Sequence, residues 1–522
     1  MSEAATTATV RASSDRAVLG GLIAALLLLA LKCAWVCDDA YITFRVVENL
    51  WLGHGLRWNV AERVQAYTNP LWLALVAAAR GVGGEVYFTS IALGLACSLL
   101  AALSLVLRAA SNGANAALAL AIWIGSKAWC DFSTSGLENP LLHLALLGAW
   151  IALAERRSSL QIGLWTAAAA LTRLDSVLLV APALAFWVAR AGPRRSLPGL
   201  LLGLAPLAAW ELFSLVYYGA LSPNTAIAKL NTGLGASELV PQGARYLLES
   251  LTRDPLTLCA ILAAAALAAL RRDGFARALA GGIALHLAYV LWVGGDFMSG
   301  RFLTAPLCCA AFVFARFGVG PAPRARVAAL AALALSAATP LSPLRAPLDY
   351  TRGLTPDAHV TDSGIADERG YWYAAAGLFS PNRQLETPPY RHVSKGHGLA
   401  FRMRDERAPP RVIEGIGYLG YWAGPDVHLI DPMGLSDAFL ARLPIVVDGR
   451  VTNPEKNAFR ERAWRVGHYY RSIPPAYLAW LAGEPAQFDD PKLAALHEDV
   501  LAITRGPLMA RERWSAILRR LR

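Results

Sequence analysis

The feature that most constrains this chain is a series of apolar runs, each ~13–22 residues and so near the length that crosses a bilayer. They fall at 17–36, 88–107, 113–129, 138–154, 160–172, 174–190, 197–218, 256–271, 277–293, 302–317 and 326–340. Of the 522 residues 55% are hydrophobic and 17% are charged, against roughly 25% charged in soluble domains. With a mean hydropathy of +0.39, this is the profile of a polytopic α-helical membrane protein with a soluble appendage.

The arginines say which way the runs cross. Arg11 and Arg16, Arg108, Arg156 and Arg157, Arg194 and Arg195, Arg271 and Arg272, and Arg324 and Arg326 occupy alternate loops, which the positive-inside rule makes cytoplasmic. The other loops carry Asp38 and Asp39, Asp131 and Glu138, Arg173 and Asp175, Asp254, and Asp296. One topology serves both sets: N-terminus inside, about eleven spans, and residues 341–522 outside. The stretch 160–190 is the hard choice. As a single span it would bury Arg173 and Asp175 at ~2.5–3.5 kcal/mol each and invert every later loop. Two short spans meeting at a polar outer turn cost less. The first run has no small-residue cleavage site, which makes it an uncleaved span of the plasma or inner membrane rather than a signal peptide.

The net charge of +11 comes without a basic tract interleaved with aromatics, so the partner it implies is the lipid bilayer and not nucleic acid. All seven cysteines precede residue 341, without CxxC or zinc spacing, which argues against a disulfide framework or structural zinc. Residues 37–87 form a long first outer loop. Within it Tyr41, Phe44, Val47 and Trp51 recur at helical spacing opposite Arg45, Glu48 and Asn49, predicting an amphipathic interfacial helix that ends at Gly53 or Gly55. "TNPLW" predicts a second short helix, capped by Thr68 or Asn69 with Pro70 in its first turn. From about Leu341 the apolar runs stop and Pro, Asp, Arg, Gly and His become frequent. The expectation is a transmembrane domain over 1–340 and an extracytoplasmic α/β soluble domain over 341–522, with no internal repeat.

Two adjacent carboxylates at the mouth of the first span call for a use. Asp38 or Asp39 could cap the following helix through its backbone N–H groups. The same loop also holds His54, Asn59, Glu62, Arg63, Gln65, Tyr67, Thr68 and Asn69. Hydroxyls, amides and carboxylates beside aromatics are the materials of a carbohydrate site, and a carboxylate there can take the proton of an attacking sugar hydroxyl. As a pair, Asp38 and Asp39 could also coordinate Mg²⁺, Mn²⁺ or Ca²⁺.

The stretch "DDAYITFRVVENLWLGHGLRWNVAERVQAYTNPLW" resembles the first outer loop of GT-C membrane glycosyltransferases that use polyprenyl-phosphate sugars. It is most similar to the terminal β-(1→2)-arabinofuranosyltransferases of the mycobacterial cell wall. "STSGLENPL", "LTRLDS", "YYGALSPNTAIAK", "VGGDFMSGRFLTAP" and "GYLGYWAGPDVHLIDPMGLSD" carry the likeness further. The resemblance implies a GT-C fold of about eleven spans and transfer of D-arabinofuranose from a donor such as decaprenylphosphoryl-arabinose. The acceptor would be a glycan of cell-wall arabinan or lipoarabinomannan outside the membrane. It makes Asp38 or Asp39 the base, with Asp38 favoured.

The donor phosphate needs cations, and Arg173, Arg301, Lys32 and Lys127 lie at or near outer span ends. Lys32 could equally snorkel outward. The residues proposed to touch sugar or acceptor are Tyr41, His54, Asn59, Glu62, Tyr67, Thr68, Asn69, Glu138, Asp175, Asn224 and Asp296. Glu138 and Asp175 have the alternative of pairing with the arginines, Asp296 that of a turn residue beside Arg301, and the Asn224–Lys229 segment that of a plain connector.

"EGIGYLGYW" has GxGxxG spacing, but Asp431 follows too soon for a ribose-binding acid. A strand–turn–strand unit is expected there, with Asp431 and Asp437 as turn caps or acceptor contacts. Two other readings remain: a transferase of another sugar onto lipid, protein or polysaccharide, and a lipid-linked sugar transporter. Against the transporter, polar residues concentrate on one side and no inverted repeat is visible.

Overall fold

The computed structural model describes residues 2–348, 350–380, 410–413, 415–445 and 464–521. The rest of the expected soluble domain, including 381–409 and 446–463, lies outside the described residues. Helices dominate. At the centre is helix Thr304–Phe317, buried from Thr304 to Ala315, with helices Gly113–Gly125, Asn139–Ala154 and Pro255–Leu270 around it. Trp123 stacks on Trp129 at 3.8 Å, and Trp129 on the buried ring of His143 at 4.3 Å. Local chemistry sets many of the starts. Asn112, Ser158 and Asp273 each accept a backbone N–H three residues on, which satisfies one of the orphan donors at a helix N-terminus.

The loops sort into two ends, as the arginine pattern implied. At one end Arg108 pairs with Glu155, Ser111 N donates to the Ala315 carbonyl, and Arg271 donates to the carbonyls of Phe317 and Gly318. At the other, Asp38 meets Tyr418 and Asp131 meets Arg369 of the tail, and Glu138 meets Arg173 and Arg301. The stretch 160–190 is two helices, Ser159–Thr172 and Val177–Ala191, joined by a turn that carries Arg173 and Asp175.

Among the described residues three helices are long and apolar enough to cross a membrane by themselves: Val86–Ala109, Leu174–Ala191 and Gly274–Trp292. Two further pairs, Pro193–Gly203 with Ala205–Tyr217 and Ala236–Arg253 with Pro255–Leu270, reach that test together but bend by 50° and 112°. Several other apolar runs form helices that at 1.5 Å per residue fall short of the ~30 Å hydrocarbon core. Helix Ala236–Arg253 was not foreseen. It buries Gln242, Tyr246, Glu249 and Ser250 and turns Leu248 and Leu251 outward.

Three expectations need correction. Helix Asp38–Trp51 does not lie exposed at an interface; Ala40 to Val47 are buried throughout. Arg45, assigned to its polar face, is 2% exposed. Its guanidinium donates to the carbonyls of Trp58, Gly420 and Val427 and lies 4.2 Å from the Trp58 ring centre. The tail covers this helix, so its polar face is a protein contact rather than a solvent face.

Second, the described part of the tail does not pack on itself alone. Among the described residues its one sheet is a parallel pair, Arg411–Val412 with Leu429–Ile430. Its apolar side chains, among them Tyr350, Tyr373, Tyr418, Leu419 and Val427, share a core with Trp35, Tyr41, Phe44 and Trp58 of the first loop.

Third, the glycine-rich unit is strand–helix–strand, with helix Tyr418–Ala423 between the two strands. A Cβ on Gly417 would lie 2.5 Å from the Asp38 carboxyl, and one on Gly420 2.6 Å from the Trp58 ring. These glycines serve close approach of tail to loop.

Candidate functional site

Glu138 organises the rim. It is fully buried, and its Oε1 accepts from Arg173 at 3.0 Å and from Arg301 at 3.1 Å. Its Oε2 accepts from Asn69 at 2.8 Å. Asn69 therefore sits at the helix cap position but makes no side-chain cap. Arg173 also forks onto Asp175, at 3.0 and 2.7 Å. The other side of Arg301 faces Asp296 at 3.8 Å. Asp296 takes the Phe297 N–H at 2.9 Å and follows the left-handed pair Gly294 and Gly295, which let the chain fold back here.

Beside this set is a small recess, lined by Asn139, Arg173, Asp175, Ser176, His286 and Arg301 among others. Asn139 Oδ1, Ser176 Oγ, His286 Nδ1, Arg301 Nε and Asp296 Oδ2 have no hydrogen-bond partner among the described residues. Buried polar atoms left unpaired are costly, so this is a place prepared for more than the protein supplies.

The two adjacent acids divide. Neither caps its own helix, whose N-cap is Cys37. Asp38 Oδ1 instead accepts the Tyr418 N–H at 2.7 Å, binding the first turn of the tail helix. Burial pushes its carboxyl up to about 7 against that hydrogen bond. Among the described residues no hydrogen bond reaches the Asp39 side chain. Burial raises its pKa as well, opposed by the charges of Lys229 and then Arg301, with Asp296 and Glu138 adding to the rise. Asp39 thus looks toward the Glu138 cluster, and Asp38 toward the tail.

A search against family models finds no match. A terminal β-(1→2)-arabinofuranosyltransferase of Mycobacterium tuberculosis is 28% identical over 567 aligned positions, spanning 90% of this chain and 88% of that protein. An enzyme of the same name from Corynebacterium glutamicum is 31% identical over 327, covering 52% of this chain and 46% of that one. This chain is similar to arabinofuranosyltransferases over nearly its whole length. The enzyme class read from its motifs, glycosyltransferase, stands. Among solved structures, ArnT from Cupriavidus metallidurans bound to undecaprenyl phosphate aligns with a TM-score of 0.48 and 13% identity, covering 80% of this chain and 85% of that one.

The remaining residues singled out for an arabinofuranosyltransferase-like site fall in other places. Lys127 is 4% exposed and lies between Asp131 and Asp367, in a network that Arg369 completes by pairing with Asp131 at 2.6 Å. No ion pair or hydrogen bond reaches the part-buried Lys32 among the described residues. Tyr41 packs its ring 4.4 Å from that of Tyr418.

Asn59 exchanges hydrogen bonds with the backbone of Leu429, at 3.0 and 3.2 Å, and also reaches the buried Glu62. Tyr67 shares a hydrogen bond with Tyr218. Asn224 holds the carbonyls of Gly434, Leu435 and Asp437. His54 closes the C-terminus of its helix through its N–H to Asn49 O, and Thr68 is exposed. Asp431 and Asp437 cap turns of the tail. Within the first loop Asn59 and Arg63 fasten the tail, while Gln65, Tyr67 and Asn69 bond to other parts of the helical domain.

Phe297, Arg465, His468 and Glu368 carry no site role in the sequence pattern. The ring of Phe297 carries Lys229 Nζ at 5.8 Å, Arg465 at 5.3 Å and the His468 ring edge-on at 4.5 Å. Glu368 acts electrostatically on both Asp38 and Asp39, and burial lifts its own carboxyl to about 8. Phe297 lay inside a quoted motif; the tail residues carried no local signal.

Proposed function

We propose that this chain transfers an arabinofuranosyl residue from a polyprenyl-phosphate donor to an acceptor glycan on the outer face of the membrane. The sugar is that of the named relatives. The observation that carries the reading is Asp39, a part-buried carboxylate of the first loop without a hydrogen bond among the described residues, on which the charges of Lys229 and Arg301 act. Asp39 is the base and Asp38 a positioning residue that holds the tail helix beside it.

As the acceptor hydroxyl attacks the anomeric carbon, its proton passes to Asp39. The new bond joins the acceptor oxygen to that carbon, and the old carbon–oxygen bond breaks with its electrons going to the lipid phosphate. Burial strengthens Asp39 as a base, and Glu138 keeps both arginines in place. Among the described residues no three His, Cys, Asp or Glu side chains gather as a metal site. A divalent ion would rest on Asp39 and substrate oxygens, and no step is routed through one.

The test is sugar transfer from a purified polyprenyl-phosphate arabinose by single variants. Asp39→Asn should lose ~10²–10⁴-fold, the usual contribution of a general base. Asp38→Asn, whose amide oxygen still accepts from Tyr418, should stay within about tenfold, the factor set by 1.36 kcal/mol in a barrier. Full activity in Asp39→Asn overturns the assignment.

A further inference from the structure

Four cations stood as candidates for the lipid phosphate: Arg173, Arg301, Lys32 and Lys127. Their partners reorder them. Each nitrogen of Arg173 is already engaged by a carboxylate, Asp175 or Glu138. Lys127 is held by two carboxylates in a separate network. Arg301 shares Glu138 and faces Asp296, keeping only Nε unpartnered among the described residues. In the Glu138 set two arginines therefore meet three carboxylates. An added phosphate finds no uncompensated positive charge there.

Lys229 is different. It lies in the last turn of helix Asn224–Leu230, part-buried, and no carboxylate comes within ion-pair distance of it among the described residues. Its ammonium stands over the Phe297 ring, and it is the strongest charge acting on Asp39. The helix is anchored by Asn224 to the Gly434–Asp437 turn and by the Ala228 carbonyl to Arg471. The lysine is thus delivered to the base by a fixed element. We propose that Lys229, rather than Arg173 or Lys127, is the principal ligand of the donor's phosphate, with the edge of Arg301 beside it.

This rests on the polyprenyl-phosphate reading above. As the anomeric bond breaks, a phosphodiester with one negative charge becomes a monoester that carries more. A cation placed at that leaving group stabilises the transition state more than the bound substrate. Lys229 therefore acts on kcat as well as on binding. A lysine that only complements the helix dipole would affect neither.

The experiment uses the full-length protein in lipid nanodiscs, with a long-chain polyprenyl monophosphate and the corresponding uncharged polyprenol as probes. Lys229→Gln should weaken binding of the phosphate at least tenfold and leave the polyprenol unchanged. Lys229→Arg should bind the phosphate within a few-fold of wild type. Inorganic phosphate should displace the lipid phosphate from wild type and not the residual lipid from Lys229→Gln. In turnover, Lys229→Gln should lower kcat further than it raises KM.

Wild-type affinity for the phosphate in Lys229→Gln overturns the assignment while leaving the functional reading intact. Equal losses in the Arg and Gln variants show that shape rather than charge was removed, and overturn it too. A wild-type protein that does not prefer the phosphate to the polyprenol overturns both.

Discussion

Lys127 and Glu138 stand at the same rim, equally buried, and each gathers charges from distant parts of the chain. Around Lys127 every charge has an opposite partner. Asp131 and Asp367 take its ammonium, Arg369 takes Asp131, and the Tyr350 hydroxyl takes Asp367 at 3.0 Å. The Arg369 guanidinium lies on the Tyr350 ring at 3.5 Å, leaving one nitrogen without a partner among the described residues. This network ties the tail to the helical bundle. Around Glu138 the pairs are as good, yet unpaired polar atoms line a recess. Burial and ion pairing alone do not mark a functional site. What separates the two is hydrogen-bonding capacity left unused where it is expensive to leave it.

The difference should be visible in what each set controls. The largest effect outside the base itself is expected at Lys127→Met. Removing one partner of a buried charge pair costs ~3–5 kcal/mol, so the variant should unfold at much lower temperature. Donor KM in whatever fraction remains folded should match wild type; a raised donor KM with unchanged stability would exchange the roles of the two networks.

Gly417→Ala is the intermediate case. Its methyl group would press on the Asp38 carboxyl, and overpacking of this kind costs ~1–3 kcal/mol. Activity should fall with stability, because the displaced helix is what holds Asp38. Unchanged activity in Gly417→Ala would mean that the tail contact does not position the acids.

The smallest effect is in pH. Burial raises the folded-state pKa of Asp38 to about 7 from an ordinary 3.8. The folded protein holds that proton more tightly than the unfolded chain. The stability so contributed is whole below the unfolded value and is lost as pH rises through the folded one. Glu368, Asp431 and Asp437 shift the same way, so the useful quantity is a difference. Thermal scans of wild type and Asp38→Asn should diverge between about pH 4 and 7, with the variant losing less. Parallel curves would show that Asp38 stays ionised throughout.

Much of the scaffold was legible because it is local. Side-chain capping at Asn112, Ser158 and Asp273 needs only neighbours in sequence, and so does the Arg173–Asp175 turn that splits 160–190. The carbohydrate-like loop misled for an instructive reason. Asn59, Tyr67, Asn69 and Arg45 have the groups that a sugar would need, and other groups of the protein already engage each of them, with Asn69 Oδ1 alone of these left without a partner among the described residues. From sequence a polar group that binds a ligand and one that fastens a distant segment look alike. Phe297 with Lys229, Arg465 and His468 was invisible for the converse reason: three separated stretches contribute to it.

By itself, the sequence determined a bundle of apolar helices whose arginine-rich and acidic loops lie at opposite ends, and it placed two acids at the mouth of the first helix. Those features follow from hydrophobic length, charge and near-neighbour hydrogen bonding. Only the tertiary structure decided that Asp38 belongs to the tail helix while Asp39 faces the cations, and that Lys127 is locked to Asp367. Those outcomes depend on which desolvated charges find partners hundreds of residues away, and burial makes each such pairing decisive.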